Sequence, residues 1–206
     1  MDHARSLLDF WFGARPMAPA AVRQRMAFWF GGDAPELTEM RDRDLESRYA
    51  PLMRRALAGE LSAWADSPRR RLALILLLDQ LPRNVFRGTA EAFAGDAAAL
   101  VLTQQGIEQA ADAALDPLER LFFYMPLQHA ESVDVQEQSV AIFGRLAGEV
   151  PEALQGIFDG VAGYALRHRD IIRRFGRFPH RNAALGRVST EEERLWLARS
   201  GERFGQ

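Results

Sequence analysis

Residues 151–176 read PEALQGIFDGVAGYALRHRDIIRRFG, and this stretch decides the fold. Leu154, Ile157, Phe158, Val161, Ala165, His168, Ile172 and Phe175 recur at three- and four-residue steps. That spacing lays one apolar face along a helix and has no counterpart in the two-residue period of a strand. Pro151 suits the first turn, where a missing N–H costs nothing, and Gly176 suits the left-handed cap at the end.

The same signals recur outward along the chain. Ser67-Pro68 reads as N-cap and first position ahead of RRRLALILLLDQ. Asp134 with Glu137, and Thr190 with Glu193, read as capping boxes. Asp96 precedes a helix carrying Leu100, Val101 and Ile107, and Asp116-Pro117 opens LERLFFY. Residues 72–78 are apolar all round, which predicts a central helix covered by others. The doubled FWFG, at Phe10–Gly13 and Phe28–Gly31, reads as two helix ends with aromatic anchors and a capping glycine. Strand signals are nearly absent. Short Gly/Pro turns join the pieces as antiparallel hairpins, with no linker or low-complexity tract. The expectation is an all-α fold of roughly eight to ten helices, forming a single domain over residues 1–206; the full signature of a tetratricopeptide repeat is missing, and stacked helix pairs are compatible with the pattern.

Composition narrows the function classes. Net charge is −2, so no basic field argues for nucleic acid. All 26 basic residues are arginine, each a planar fork suited to carboxylates and phosphates. There is no cysteine, which excludes disulfides, thiolate catalysis and Cys-ligated metal. The N-terminus lacks the pattern of a signal peptide, and the longest apolar run is too short to span a bilayer. A cytoplasmic protein without membrane association is expected. Oligomeric state is left open.

Chemistry concentrates in three polar corners. In DQLPRNVFRG, residues 79–88, Pro82 is expected to end the helix. Asp79 would then sit in a last turn whose dipole opposes it, with Arg83, Asn84 and Arg87 to compensate. In FFYMPLQHAES, residues 122–132, Pro126 is expected to break or kink a helix; an irregular chain beyond it would let His129 and Glu131 point one way, as a buried hydrogen-bonded pair, an acid–base pair or metal ligands. In RFGRFPHRNAALGR, residues 174–187, Phe175 and Phe178 pin a loop that carries His180, Arg181, Asn182 and Arg187. The Asp79 corner and this loop are expected to meet, because Asp79 needs cations and both offer Arg-Asn pairs. His168, on the apolar stripe of its helix, reads as a hydrogen-bonded core residue, and Arg69–Arg71 as a solvated face. No HExxH or paired-ligand spacing occurs, so neither metal nor cofactor is expected.

Taken together, LDFWFG, LALILLLDQLPRNVFRGTAEAFAGD, FFYMPLQHAES, RHRDIIRRFGRFPHRNAALGR and the final STEEE resemble the bacterial family known as domain of unknown function 924, in order from Ser6 almost to the C-terminus. The resemblance implies a tetratricopeptide-like helical fold and brings no activity or catalytic residue. Gln128-His129-Ala130-Glu131 stands where Glu-His-Ser-Glu is more usual in the family, which removes the first carboxylate. Two functional readings follow. One is a pocket for a small anionic ligand bearing phosphate or carboxylate, with hydrolysis as a possible reaction. In it, His129 or His180 moves protons, Glu131 or Asp79 orients them, and Arg83, Asn84, Arg87, Arg181 and Asn182 bind. The other is an adaptor for a peptide or protein, with the corners structural.

Overall fold

The computed structural model describes residues 2–13, 15, 17–30 and 35–200. Among these residues the chain is helical throughout, with no strand. The α-helices are α1 (His3–Phe12), α2 (Pro19–Phe30), α3 (Pro35–Leu57), α4 (Pro68–Ile75), α5 (Leu81–Val85), α6 (Asp96–Glu108), α7 (Pro117–His129), α8 (Val133–Gly148), α9 (Glu152–Phe175) and α10 (Glu191–Ser200). Single 3₁₀ turns lie at Ser62–Asp66, Ala90–Phe93, Ala111–Ala114 and Pro179–Arg181. None of these helices is long and apolar enough to cross a membrane.

The core forms around α4 and α7. Residues 72–78 are buried on every side, as their unbroken apolar run requires. The two FWF triplets converge on α7: Trp11, Phe12 and Trp29 all set their rings edge-on to Phe122, with centroids 4.8–5.6 Å apart. The first triplet ends as expected at Gly13, with φ of +76° and its N–H bonded to Asp9 O. The second glycine, Gly31, lies outside the described residues. Arginines from later helices take up the carbonyls at these helix ends: Arg25 Nε donates to Trp11 O at 2.9 Å, and Arg41 donates to Phe28 O.

Consecutive helices α6 to α9 pack on their neighbours, and the short link at 149–151 makes α8 and α9 an antiparallel pair. In α9 the apolar stripe faces inward and Gly176, at φ of +70°, returns its N–H to Ile172 O. Two capping boxes form: Asp116 with Glu119, and Thr190 with Glu193. The box expected at Asp134 and Glu137 does not. α8 begins at Val133 after Ser132, and Glu137 instead forms an ion pair with Arg173, Oε1 2.6 Å from Nη2, tying α8 to α9. Arg71 is also not solvated. It is buried and donates to Leu102 O and Gln109 Oε1, because Gly106 leaves room for its stem.

Pro82, expected to end its helix, does not, and Pro126 does not break α7. Residues 76–80 form a π turn, in which Leu81 N–H reaches back to Leu76 O, and α5 carries on through Pro82. Widening one turn changes which carbonyls need partners, so the helical path survives a residue without an N–H. Pro126 lies inside α7, which continues to His129. A turn earlier in α7, Thr103 Oγ1 donates to Phe123 O at 2.9 Å.

Candidate functional site

The π turn puts Asp79 in mid-helix rather than at a helix end, and the side chain is fully buried. A carboxylate there is sustained only by direct partners. His129 Nδ1 lies 2.6 Å from Asp79 Oδ1, Gln80 Nε2 donates to Oδ2 at 2.5 Å, and Arg83 Nη1 stands 3.4 Å from Oδ1. Arg83 Nη1 also donates to the Asp79 carbonyl at 2.7 Å. The compensation foreseen for Asp79 is therefore real, but it comes from one arginine, a neighbouring amide and a histidine 50 residues away.

His129 is the last residue of α7, and its position is secured from α8. Gln136 Nε2 donates to the carbonyls of Leu127, Gln128 and Ala130, closing the helix end around the histidine. Glu131 lies beyond the end and turns away. It accepts two hydrogen bonds from Arg187, at 2.7 and 2.9 Å, and one from the N–H of Phe178 at 2.8 Å. The expected His129–Glu131 pair is thus corrected: α7 runs on through Pro126, so His129 meets Asp79 while Glu131 anchors the 174–187 loop.

That loop meets the Asp79 corner through a residue that sequence reading used only as a helix start. Asp96, at the first position of α6, accepts from Arg83 Nη1 at 2.7 Å and Nη2 at 2.9 Å, and from Arg181 Nη1 at 3.1 Å. Gly95 makes this approach possible. A Cβ there would stand 2.2 Å from Leu78 O, on the backbone of the π turn. The Arg181 guanidinium packs over the rings of Phe93 and Phe178, 4.8 and 4.5 Å from their centroids. Its side chain is 7% exposed, and its buried Nε has no hydrogen-bond partner among the described residues.

The remaining candidates disperse. Arg87 donates to Asp42 on α3 and to Asn84 Oδ1, so both residues tie α5 to α3. Asn182 is buried and bonds Ser189, Glu193 and Arg187, holding the loop to α10. His168 Nδ1–H donates to Tyr164 O at 2.8 Å, as expected of a core histidine. Phe178 separates His168 from His180, with centroids 5.4 and 5.5 Å away. Gln80, Asp96 and Gln136 were missed. An amide beside Asp79, a first-turn carboxylate and a helical Gln each have an ordinary local reading, and only the long-range partners distinguish them. Hollows lined by Arg174, Glu192 and Trp196, and by Arg5, Asp9 and Arg69, lie away from this corner.

Protonation follows from these contacts. Burial by itself would raise the pKa of Asp79. His129, Arg83 and Gln80 outweigh it and hold the carboxyl well below the usual carboxylate range. Burial, with the Arg83 charge next, lowers the pKa of His129 against the pull of Asp79. The state at neutral pH is therefore a carboxylate facing a neutral imidazole. Nδ1, facing the carboxylate, carries the proton, so Nε2 holds the lone pair. His129 keeps 14% of its side chain exposed. Burial pushes His168 and His180 down to about 3 each, helped at His180 by the neighbouring Arg181 charge. Arg181 is pushed down to about 10, by burial first and then by Arg83. A buried carboxylate orienting a neutral imidazole, beside two guanidinium groups, can accept a proton and hold an anion. Among the described residues no three His, Asp or Glu side chains are placed to hold a metal ion.

The chain belongs to a family of bacterial proteins of unknown function, DUF924, whose model matches residues 7–201. It is similar to a solved structure, a protein of unknown function from Agrobacterium tumefaciens, at 35% identity and a TM-score of 0.75, covering 94% of this chain and 96% of that one. No curated protein matches.

Proposed function

We propose that this DUF924 member carries a proton-transfer centre for a small ligand bearing a carboxylate or phosphate, with ester hydrolysis as the reaction class. His129 is the general base, Asp79 orients it, and Arg83 and Arg181 hold the anionic part. The observation that carries this reading is the 2.6 Å contact between His129 Nδ1 and a fully buried, ionised Asp79. A carboxylate so placed fixes the ring and its tautomer, as in triads that activate a nucleophile. In the hydrolytic step His129 Nε2 takes a proton from water while the hydroxide oxygen bonds to the acyl carbon or phosphorus. The bond to the leaving oxygen breaks, and that oxygen takes the proton back from the imidazolium. His180, with its basicity suppressed, lines the loop and does not transfer protons. The protein is read as one all-helical domain working in the cytoplasm.

A tetratricopeptide-like adaptor binding a peptide is the second reading. It is favoured by the mutual pairing of Glu131 with Arg187 and of Glu193 with Arg177 and Asn182, which serves the loop itself. Hydrolysis of a panel of carboxylic and phosphate esters separates the two. Under the first reading His129→Asn and Asp79→Asn each lose about 10²-fold or more in rate, with helicity retained. No turnover by the parent, or equal turnover by His129→Asn, favours the adaptor.

A further inference from the structure

The arginine pair beside His129 is already balanced. Arg83 donates both Nη atoms to Asp96, and Arg181 adds a third hydrogen bond to the same carboxylate. Asp79, the other carboxylate of the cluster, lies 3.4 Å from Arg83. Two guanidinium groups thus face two carboxylates around a neutral imidazole, and the cluster carries no net charge. The next pair along, Glu131 with Arg187, is balanced as well. Sites for phosphate dianions hold an excess of positive charge or a set of converging backbone N–H groups, because two charges must be taken out of water. Here that excess is cancelled by Asp96, whose side chain is 22% exposed.

What is left is directional rather than global. Arg181 uses Nη1 on Asp96, while its buried Nε meets no acceptor among the described residues. The group packs over Phe93 and Phe178, 4.8 and 4.5 Å from their centroids. The Nε–Nη2 edge of a guanidinium offers two parallel N–H bonds at the spacing of one carboxylate. We propose that Asp96 determines the ligand class of this site: by neutralising Arg83 and Arg181 it makes the site select a singly charged carboxylate over a phosphate dianion. This rests on Arg83 and Arg181 being the ligand-holding groups of the proposed function.

The test uses the full chain and no catalysis. The imidazole Cε1–H signal of His129, assigned by its absence from His129→Asn, is titrated at pH 7.5 and constant ionic strength with acetate and with inorganic phosphate. The parent is expected to saturate with acetate and to bind phosphate at least tenfold more weakly. Arg181→Met should weaken acetate by tenfold or more. Asp96→Asn removes one negative charge a few ångströms away, and at an effective dielectric of about 20 that should tighten phosphate at least tenfold and remove the preference. Asp96→Glu keeps the charge and should keep the preference, which covers the case in which Asp96→Asn does not fold. Phosphate binding the parent as tightly as acetate, no saturation with acetate, or an unchanged ranking in folded Asp96→Asn overturns the proposal. Loss of ester turnover in His129→Asn is read separately, so the base reading and this one fail independently.

Discussion

Replacing Arg181 separates the part of its role that is charge from the part that is packing. The guanidinium contributes one charge-assisted hydrogen bond to Asp96, worth about 1.5–3 kcal/mol, and faces two rings at about 1 kcal/mol each. Against this stands burial. A guanidinium pushed from 12.5 to about 10 is disfavoured in its charged form by about 3 kcal/mol, by burial first and then by Arg83; that figure is already net of the pull of Asp96, so only the ring contacts, about 2 kcal/mol together, stand against it. Asp96 is not orphaned by the loss, since Arg83 still grips it with two hydrogen bonds. Arg181→Met keeps the stem against Phe93 and Phe178 and removes the charge, so the opposing contributions nearly cancel, to within about 2 kcal/mol. Arg181→Ala also removes the stem and leaves a gap, adding about 2–3 kcal/mol of loss. At about 2–4 °C per kcal/mol for a chain of this size, Met should melt within about 8 °C of the parent and Ala about 4–12 °C below Met. Scanning calorimetry of the three proteins reads both differences. Met and Ala falling equally would show that the charge itself holds this corner, and the reasoning about burial would be refuted.

The glycine beside Asp96 gives a sharper structural check: Gly95→Ala drives a Cβ into the Leu78 carbonyl and should cost about 3 kcal/mol or more, read by urea denaturation, whereas a neutral result would contradict the close approach to the π turn. His168 and His180 should show no imidazole titration by NMR above pH 5, and a midpoint near 6.5 for either would contradict their burial. Because both folded-state values lie below that of the unfolded chain, the unfolded state binds more protons from about pH 6.5 down to about 3, and stability should fall as pH falls through that window. Glu131 acts in the same direction lower down. Burial opposes its charge, but Arg187 and the Phe178 N–H hold its pKa below the usual range, so its contribution is present above about pH 4.3 and lost as pH falls below it. Glu131→Gln should therefore flatten the acid limb of a stability–pH curve, and an unchanged limb would mean that the Arg187 pair contributes nothing.

Local rules were enough to read the all-α fold. Helix periods, the Asp116 and Thr190 caps and the glycine after Phe175 depend on residues within one or two turns, and those appear in the helices as read. The same rules failed where a distant residue outbid a local partner. Glu137 is spaced for a capping box with Asp134 but is drawn to Arg173 on the next helix. Pro82 and Pro126 carry local signals for stopping a helix. The packed core around α4 and α7 makes leaving the helix costlier than a missing N–H, and a π turn absorbs the defect at Pro82. The three corners were visible as clusters of polar residues, and the meeting of the first and third was legible from the charge that Asp79 demands. Which atoms meet was not. His129 chooses Asp79 over Glu131, two residues away, and Asp96 bridges Arg83, 13 residues before it, and Arg181, 85 residues after it. Such pairings are set by where rigid helices place their ends, and a buried charge takes whichever partner the packing brings within reach. Sequence spacing contains no term for that distance.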